Sequence, residues 1–280
     1  MNDKTIKLIA VDMDGTTLRR DKTIGERTIK AMNDAMDAGV EVMIATGRSR
    51  SQFERYVSHF PKMRYAISSS GAAIYNVQTW EKLISNEMPV EVVQQVLDYA
   101  ETLDCFAIVT VEGSTLYTAS MAPLADQYGL GDYTYEINNF GVGVENLYDW
   151  YRENGKPAES VSLYFHDHSP CKAVAEHLSV LPLYIALPGE PGVEMSMQKA
   201  NKGEALRQLC TMLNLPLEQV MVIGDSDNDV PMMQEAGFAV ASGNSPDAVK
   251  AKADAVTLDC DEDGVGAAIE RYVLNPGRGA

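Results

Sequence analysis

Short apolar runs alternate along the chain with stretches in which apolar residues recur every three or four positions. Residues 6–11 (Ile-Lys-Leu-Ile-Ala-Val) read as a buried strand that stops at Asp12. Ile29, Met32 and Met36 then keep helical spacing until Gly39 ends the helix. Residues 40–45 form a second buried run that ends at Thr46-Gly47-Arg48, and Ser49 stands where a helix cap belongs. Residues 66–68 make a third short strand. The C-terminal part repeats the alternation. Residues 202–213 carry Leu206, Leu209 and Leu213 on one helical face, and 220–223 form a strand ending at Gly224-Asp225. A helix over 227–236, a strand over 238–240 and a last helix holding 269–273 complete it. Strand and helix in alternation predict an α/β fold, a parallel sheet flanked by helices.

The middle of the chain has a different rhythm. Val92, Val93, Val96, Leu97 and Ala100 make an amphipathic helix. Strand-like runs over 106–111 and 115–118 surround Glu112-Gly113-Ser114, a hairpin signal. Another strand, 160–165, leads to a helix around 173–178. Strand runs with one or two helices predict a small α+β insert over 87–190. Charge marks the same boundary. Of a net charge of -17 over 280 residues, -13 falls within 87–190, which also holds nine of the thirteen tyrosines. The sheet domain is then discontinuous, made of residues 1–86 and 191–280.

A strongly acidic chain lacks the basic face that nucleic acid requires, so no nucleic-acid partner is expected. A phosphorylated ligand has to be held by a local device against the overall field. Cys105, Cys171, Cys210 and Cys260 lie far apart without a paired motif, which predicts free thiols in a reducing cytoplasm. No window approaches the ~18 apolar residues of a membrane span, and no membrane partner is expected. His166-Asp167-His168 reads as a polar loop after a strand.

Acidic clusters stand at the ends of two predicted strands: Asp12-Met13-Asp14-Gly15-Thr16 and Gly224-Asp225-Ser226-Asp227-Asn228-Asp229. Thr46-Gly47-Arg48 ends a third. An open parallel sheet binds ligands at the carboxyl ends of its strands, so all three segments meet at one edge. Asp12, Asp14 and Asp225 can supply the hard oxygen ligands that Mg²⁺ takes, with water and a substrate phosphate filling the rest. The spacing Asp225-x-Asp227-x-Asp229 fails as a calcium loop, because Val230 and Ala236 occupy the positions that need Gly and Glu. Neither common glycine-rich nucleotide loop occurs.

These residues, in this order and together with Lys202, resemble the haloacid dehalogenase superfamily of aspartate-nucleophile phosphatases. The long insert and the run Lys202-Gly203-Glu204-Ala205-Leu206 are similar to its Cof-type sugar-phosphatase branch. The resemblance implies a Rossmann-like catalytic core and a cap domain that closes over it. It implies Asp12 as the nucleophile, forming an aspartyl-phosphate, and Asp14 as the acid and base. The backbone amide of Met13, the Thr46 hydroxyl, the Gly47 amide, Lys202 and Asn228 would hold the phosphoryl group. Asp229 would anchor Lys202. Mg²⁺ is the implied cofactor, a small phosphorylated metabolite the implied partner, and hydrolysis of phosphate monoesters, sugar phosphates above all, the implied reaction.

An Asp at position 14, where the related transport ATPases carry Thr, points to hydrolysis or phosphomutase chemistry. A phosphomannomutase-like mutase is the nearer alternative, and a non-catalytic phosphometabolite-binding regulator the more distant one. A mutase holds a second phosphate on a basic cap, whereas 87–190 contains three basic residues. Ser70 stands where related phosphatases have Asn. The acidic insert predicts either recognition of a neutral or amine-bearing leaving group or a solvated outer face.

Overall fold

The computed structural model describes residues 5–131 and 133–276, which form two compact units. One comprises Met1–Gly47, Glu54–Ser85 and Asn201–Ala280, the other Arg48–Phe53 and Asn86–Ala200. In chain order the first unit opens with strands β1 (Leu8–Val11), β2 (Glu41–Ala45), β3 (Tyr65–Ser68), β4 (Ala73–Asn76) and β5 (Glu81–Ser85). The second unit supplies β6 (Phe106–Val111), β7 (Ser114–Thr118), β8 (Val142–Val144), β9 (Ser160–Tyr164), β10 (Leu183–Ala186) and β11 (Gly192–Met197). The chain then returns to the first with β12 (Val220–Gly224), β13 (Phe238–Ala241) and β14 (Ala255–Val256). The helices are α1 (Glu26–Asp37), α2 (Arg50–Val57), α3 (Val90–Ala100), α4 (Tyr133–Phe140), α5 (Leu147–Asn154), α6 (Cys171–Leu178), α7 (Lys202–Met212), α8 (Val230–Glu235), α9 (Asp247–Lys250) and α10 (Gly264–Ile269).

The sheet of the first unit runs β14-β13-β12-β1-β2-β3-β4-β5. Its strands are parallel from β14 to β3, as the alternation predicts, and β4 and β5 add an antiparallel edge. β1 sits in the centre, with Leu8 opposite Val220 on one side and Glu41 on the other. Its four residues are all buried, which is why it reads as an unbroken apolar run: helices cover both faces. Leu8 and Ala10 pack with Leu206, Leu209 and Met232 of α7 and α8. Ile9 and Val11 point to the opposite face by strand alternation, where α1 packs with α10. Central strands buried on both faces hold the strand ends still, and the acidic turns hang from those ends.

The second unit is a sheet of order β10-β11-β9-β6-β7-β8. One face carries Val109, Val161, Leu163 and Val193 against α3, α5 and α6. The other carries Phe106, Ile108, Tyr117 and Tyr164 against Tyr128, Leu130 and Ile137. The β6–β7 hairpin turns at Glu112 (φ 51°) and Gly113 (φ 77°), two consecutive left-handed residues that match the twist of the strands they join. This unit extends to Ala200 because β11 pairs with β9, Val193 opposite Leu163. It also takes in Arg48–Phe53: Ser51 N–H donates to Gly113 O at 2.9 Å, and Arg48 forms a buried ion pair with Glu136 at 2.8 Å. Among the described residues no helix is long and apolar enough to cross a membrane.

Candidate active site

The site begins where β1 ends. Asp12 N–H donates to Ile223 O at 2.9 Å and so stays in the register of the sheet. The chain then turns tightly. Met13 O accepts from Leu18 N–H at 2.7 Å, and Asp12 O accepts the Thr17 hydroxyl at 2.5 Å. Gly15 adopts φ 73°, and a β-carbon there would stand 2.5 Å from Asp225 Oδ2. Glycine is needed twice over, for the left-handed backbone and for the approach of the carboxylate.

Asp225 follows β12, the strand beside β1, and its Oδ1 accepts the Thr16 hydroxyl at 3.0 Å. Four residues on, Asp229 folds back in a capping box with Ser226. Asp229 Oδ2 accepts from the backbone N–H of Asp225 (2.9 Å) and of Ser226 (3.1 Å). Its Oδ1 accepts from Lys202 Nζ at 2.6 Å, and the same ammonium donates to Asp12 Oδ1 at 2.5 Å. Lys202 opens α7, an unfavourable end for a cation. The two carboxylates offset that penalty, and the side chain is fully buried.

The second strand end lies alongside. Thr46 is buried and accepts Ser70 N–H on its carbonyl at 3.0 Å. A β-carbon on Gly47 would lie 3.3 Å from Ser70 Oγ and 3.9 Å from Asn228 Nδ2. The Asn228 carbonyl oxygen accepts the Ser226 hydroxyl, so its amino end is the one nearer Gly47. Ser69, Ser70 and Gly71 are all left-handed, at φ 47°, 54° and 106°. Asn tolerates this conformation better than the Ser that stands at position 70.

Carboxylate oxygens of Asp12, Asp225 and Asp229 lie within 4.8 Å of one another. Fully ionised, the three carboxylates would carry an excess of two negative charges over the one ammonium. Burial and the charge of Asp229 push Asp12 well above the usual carboxylate range, against the pull of Lys202. Burial and Asp229 likewise push Asp225 up to about 6, tempered by the Thr16 hydroxyl. Burial works to lower Lys202, but Asp12 and Asp229 outweigh it and hold the ammonium charged. A divalent cation fits this excess in charge and in ligand chemistry. Both Asp229 oxygens are committed to Lys202 and backbone amides, so Asp12 and Asp225 are the carboxylates with capacity to take it. The Asp14 side chain stands apart from this group, half-exposed, its Oδ1 accepting from Lys22 Nζ at 2.9 Å.

Asp12, Lys202, Asp225 and Asp229 are thus in direct contact, with Thr46, Gly47 and Asn228 in the adjoining turns. Sequence reasoning gave no role to Thr16, Lys22 or Asn244. Thr16 lies inside the acidic motif and could have been read there. Asn244 follows the end of β13, a further parallel strand, and donates to Gly15 O at 2.8 Å. Nothing local marks Lys22.

In the second unit, His166 is engaged by Gln127 O at 2.7 Å and stacks on Tyr128. Among the described residues of 87–190, twelve carboxylates are exposed, so most of the -13 charge is a solvated surface. Glu136 and Glu159 are buried, paired with Arg48 and with Gly113 N–H.

The family model of haloacid dehalogenase-like hydrolases matches residues 9–269. Phosphatase YwpJ of Bacillus subtilis is 30% identical, over 93% of this chain and 97% of its own. The 5-amino-6-(5-phospho-D-ribitylamino)uracil phosphatase YitU of the same organism is 28% identical, over 95% and 97%. A haloacid dehalogenase-like hydrolase from Bacteroides thetaiotaomicron superposes with a TM-score of 0.83 at 25% identity, covering 96% of this chain and all of that one.

Proposed function

We propose, since this chain belongs to the haloacid dehalogenase-like hydrolase family and is a phosphoric monoester hydrolase, that it cleaves its esters by double displacement at Asp12. An Asp12 carboxylate oxygen attacks phosphorus while the bond from phosphorus to the bridging oxygen breaks. The Asp14 carboxyl gives that oxygen its proton, and the alcohol leaves. Water then attacks phosphorus of the aspartyl-phosphate, Asp14 takes a proton from it, and Asp12 departs as a carboxylate. Ester and water become alcohol and inorganic phosphate.

Lys202 Nζ, the Thr46 hydroxyl, the backbone amides of Met13 and Gly47 and the Asn228 side chain hold the phosphoryl oxygens. Asp229 fixes the position of the ammonium. Enzymes of the family use a divalent metal. In this chain Asp12, Asp225 and the backbone carbonyl of Asp14 would hold it as Mg²⁺, where it offsets the repulsion between anionic nucleophile and anionic ester. The observation that carries the reading is the cluster at the end of β1, where Lys202 is shared by Asp12 and Asp229 and the Asp225 carboxylate lies beside them.

The substrates are small sugar phosphates and related polyol phosphates. YitU is named for a substrate that carries its phosphate on a ribityl chain. The second unit acts as the cap that selects the leaving group. The basic side chains of 87–190 speak against a mutase, because each faces a carboxylate: Arg152 with Glu101, Lys156 with Glu112 and Lys172 with Glu176. A second phosphate would find them engaged. Phosphate release from a panel of phosphorylated metabolites, with and without Mg²⁺, tests the proposal with Asp12→Asn as the blank. Turnover of several sugar phosphates that is lost in the variant is expected. Equal release by Asp12→Asn would remove the central claim.

A further inference from the structure

Asn244 is oriented by every polar contact it makes. Its side-chain oxygen accepts the Ser242 hydroxyl at 2.6 Å and the Cys260 backbone N–H at 3.1 Å. An amide whose oxygen takes two donors has one sensible assignment, so the NH₂ end faces Gly15 O, at 2.8 Å. Gly15 lies 229 positions away in sequence.

The bonded carbonyl belongs to the peptide that joins Gly15 to Thr16. On one side of that peptide is Thr16, whose hydroxyl holds Asp225 at 3.0 Å. On the other side, one residue back from Gly15, is Asp14. The neighbouring carbonyls of the turn, those of Asp12 and Met13, are bonded within the turn by Thr16, Thr17 and Leu18. These local bonds keep the turn's shape but do not fix its tilt against the sheet. The bonds that leave the turn do: Asp12 N–H to Ile223 O and the Thr16 hydroxyl to Asp225 hold it to β12 and the loop after it, and Asn244 ties it to the loop that follows β13. Ser242 N–H anchors that loop in turn by donating to Gly224 O at 2.9 Å, at the end of β12.

We infer that Asn244 is a positioning residue for phosphoryl transfer. It fixes the Gly15–Thr16 peptide so that the Asp12 carboxylate, the Asp14 carboxyl and Asp225 keep the mutual placement that the attack on phosphorus and the proton transfer need. The inference rests on the double displacement proposed above. Reacting groups displaced by about 1 Å lose on the order of 10²-fold in rate, so a loosened turn should cost turnover more than binding.

The test is steady-state hydrolysis of p-nitrophenyl phosphate at saturating Mg²⁺ by wild type, Asp12→Asn, Asn244→Ala, Asn244→Asp and Ser242→Ala, with thermal melting of each. Asn244→Ala is expected to lose roughly 10–100-fold in kcat with KM within about threefold of wild type. Asn244→Asp should lose more, since a carboxylate oxygen would then face Gly15 O. Ser242→Ala, which leaves Asn244 in place but frees its oxygen end, should lose a smaller factor in the same direction, and it serves if the Asn244 variants fail to fold. A kcat within twofold of wild type in Asn244→Ala, or kcat losses that only track the loss of folded protein, overturns the inference. A wild type that releases no phosphate, or an active Asp12→Asn, instead overturns the double displacement and takes this inference with it.

Discussion

Lys202 and Asp12, 190 residues apart in sequence, meet in a buried ion pair at 2.5 Å. Removing the lysine leaves Asp12 and Asp229 facing each other without a counter-charge. Lys202→Met should therefore cost about 3–5 kcal/mol of stability, as breaking a buried pair from one side does. It should also abolish phosphate release. Urea unfolding measures the first and a phosphate assay the second; a variant as stable as wild type would mean that the cluster is not charged as described.

The excess of two negative charges makes a prediction about metal. Mg²⁺ at about a hundred times its dissociation constant should stabilise the protein by about 2.7 kcal/mol. Asp225→Asn takes one charge out of the cluster. In EDTA it should melt no lower than wild type, and adding MgCl₂ should raise its melting temperature much less. Calorimetry on both proteins checks this, and equal Mg²⁺ shifts in the two would count against Asp225 as a ligand.

Ser70 holds φ 54° between two other left-handed residues. A left-handed backbone costs an ordinary L-residue roughly 1–2 kcal/mol, and Asn or Gly less. Ser70→Asn should therefore gain about 0.5–1 kcal/mol in urea unfolding and leave kcat within a few-fold. A loss of stability would show that the Ser70 hydroxyl near Gly47 matters more than its backbone.

The thiols give a pH dependence with a definite sign. All four cysteines are buried and free, and burial pushes Cys105 and Cys210 up to about 11. The thiolate is the reactive form. In the folded protein these two should react with Ellman's reagent slowly at pH 7, about tenfold faster for each pH unit up to 9, and always far slower than in urea. Fast labelling at pH 7 would contradict their burial.

The parallel strands were legible because burial on both faces writes them as continuous apolar runs, and β1, β2 and β12 each stop at a polar turn. β4 and β5 were not. β5 is only partly buried at the sheet edge, so its pattern carries little contrast. α4, Tyr-Thr-Tyr-Glu-Ile-Asn-Asn-Phe, is built from residues with weak helix propensity, and tertiary packing of Ile137 decides its form. Around β11, Pro188, Gly189, Pro191 and Gly192 mask a strand that only pairing with β9 reveals. In the site, each acidic turn showed itself locally. The bonds between turns, Thr16 to Asp225 and Asn244 to Gly15, join residues more than two hundred positions apart and leave no local trace.

The central place of β1 between β2 and β12 sets a timetable for the nascent chain. One neighbour is translated soon after β1, whereas the other lies some two hundred codons downstream. At 5–20 residues per second that is roughly 10–40 s of synthesis. Throughout it the first strand emerges with one edge unsatisfied and its apolar face exposed, the condition in which chaperones find their clients. The stretch from Asn86 to Ala200 is complete before β12 is made, so its own sheet can form while the older strand waits. Lys202 and Asp229 are made only after that stretch, so Asp12 waits for its counter-charge nearly as long as β1 waits for its second neighbour.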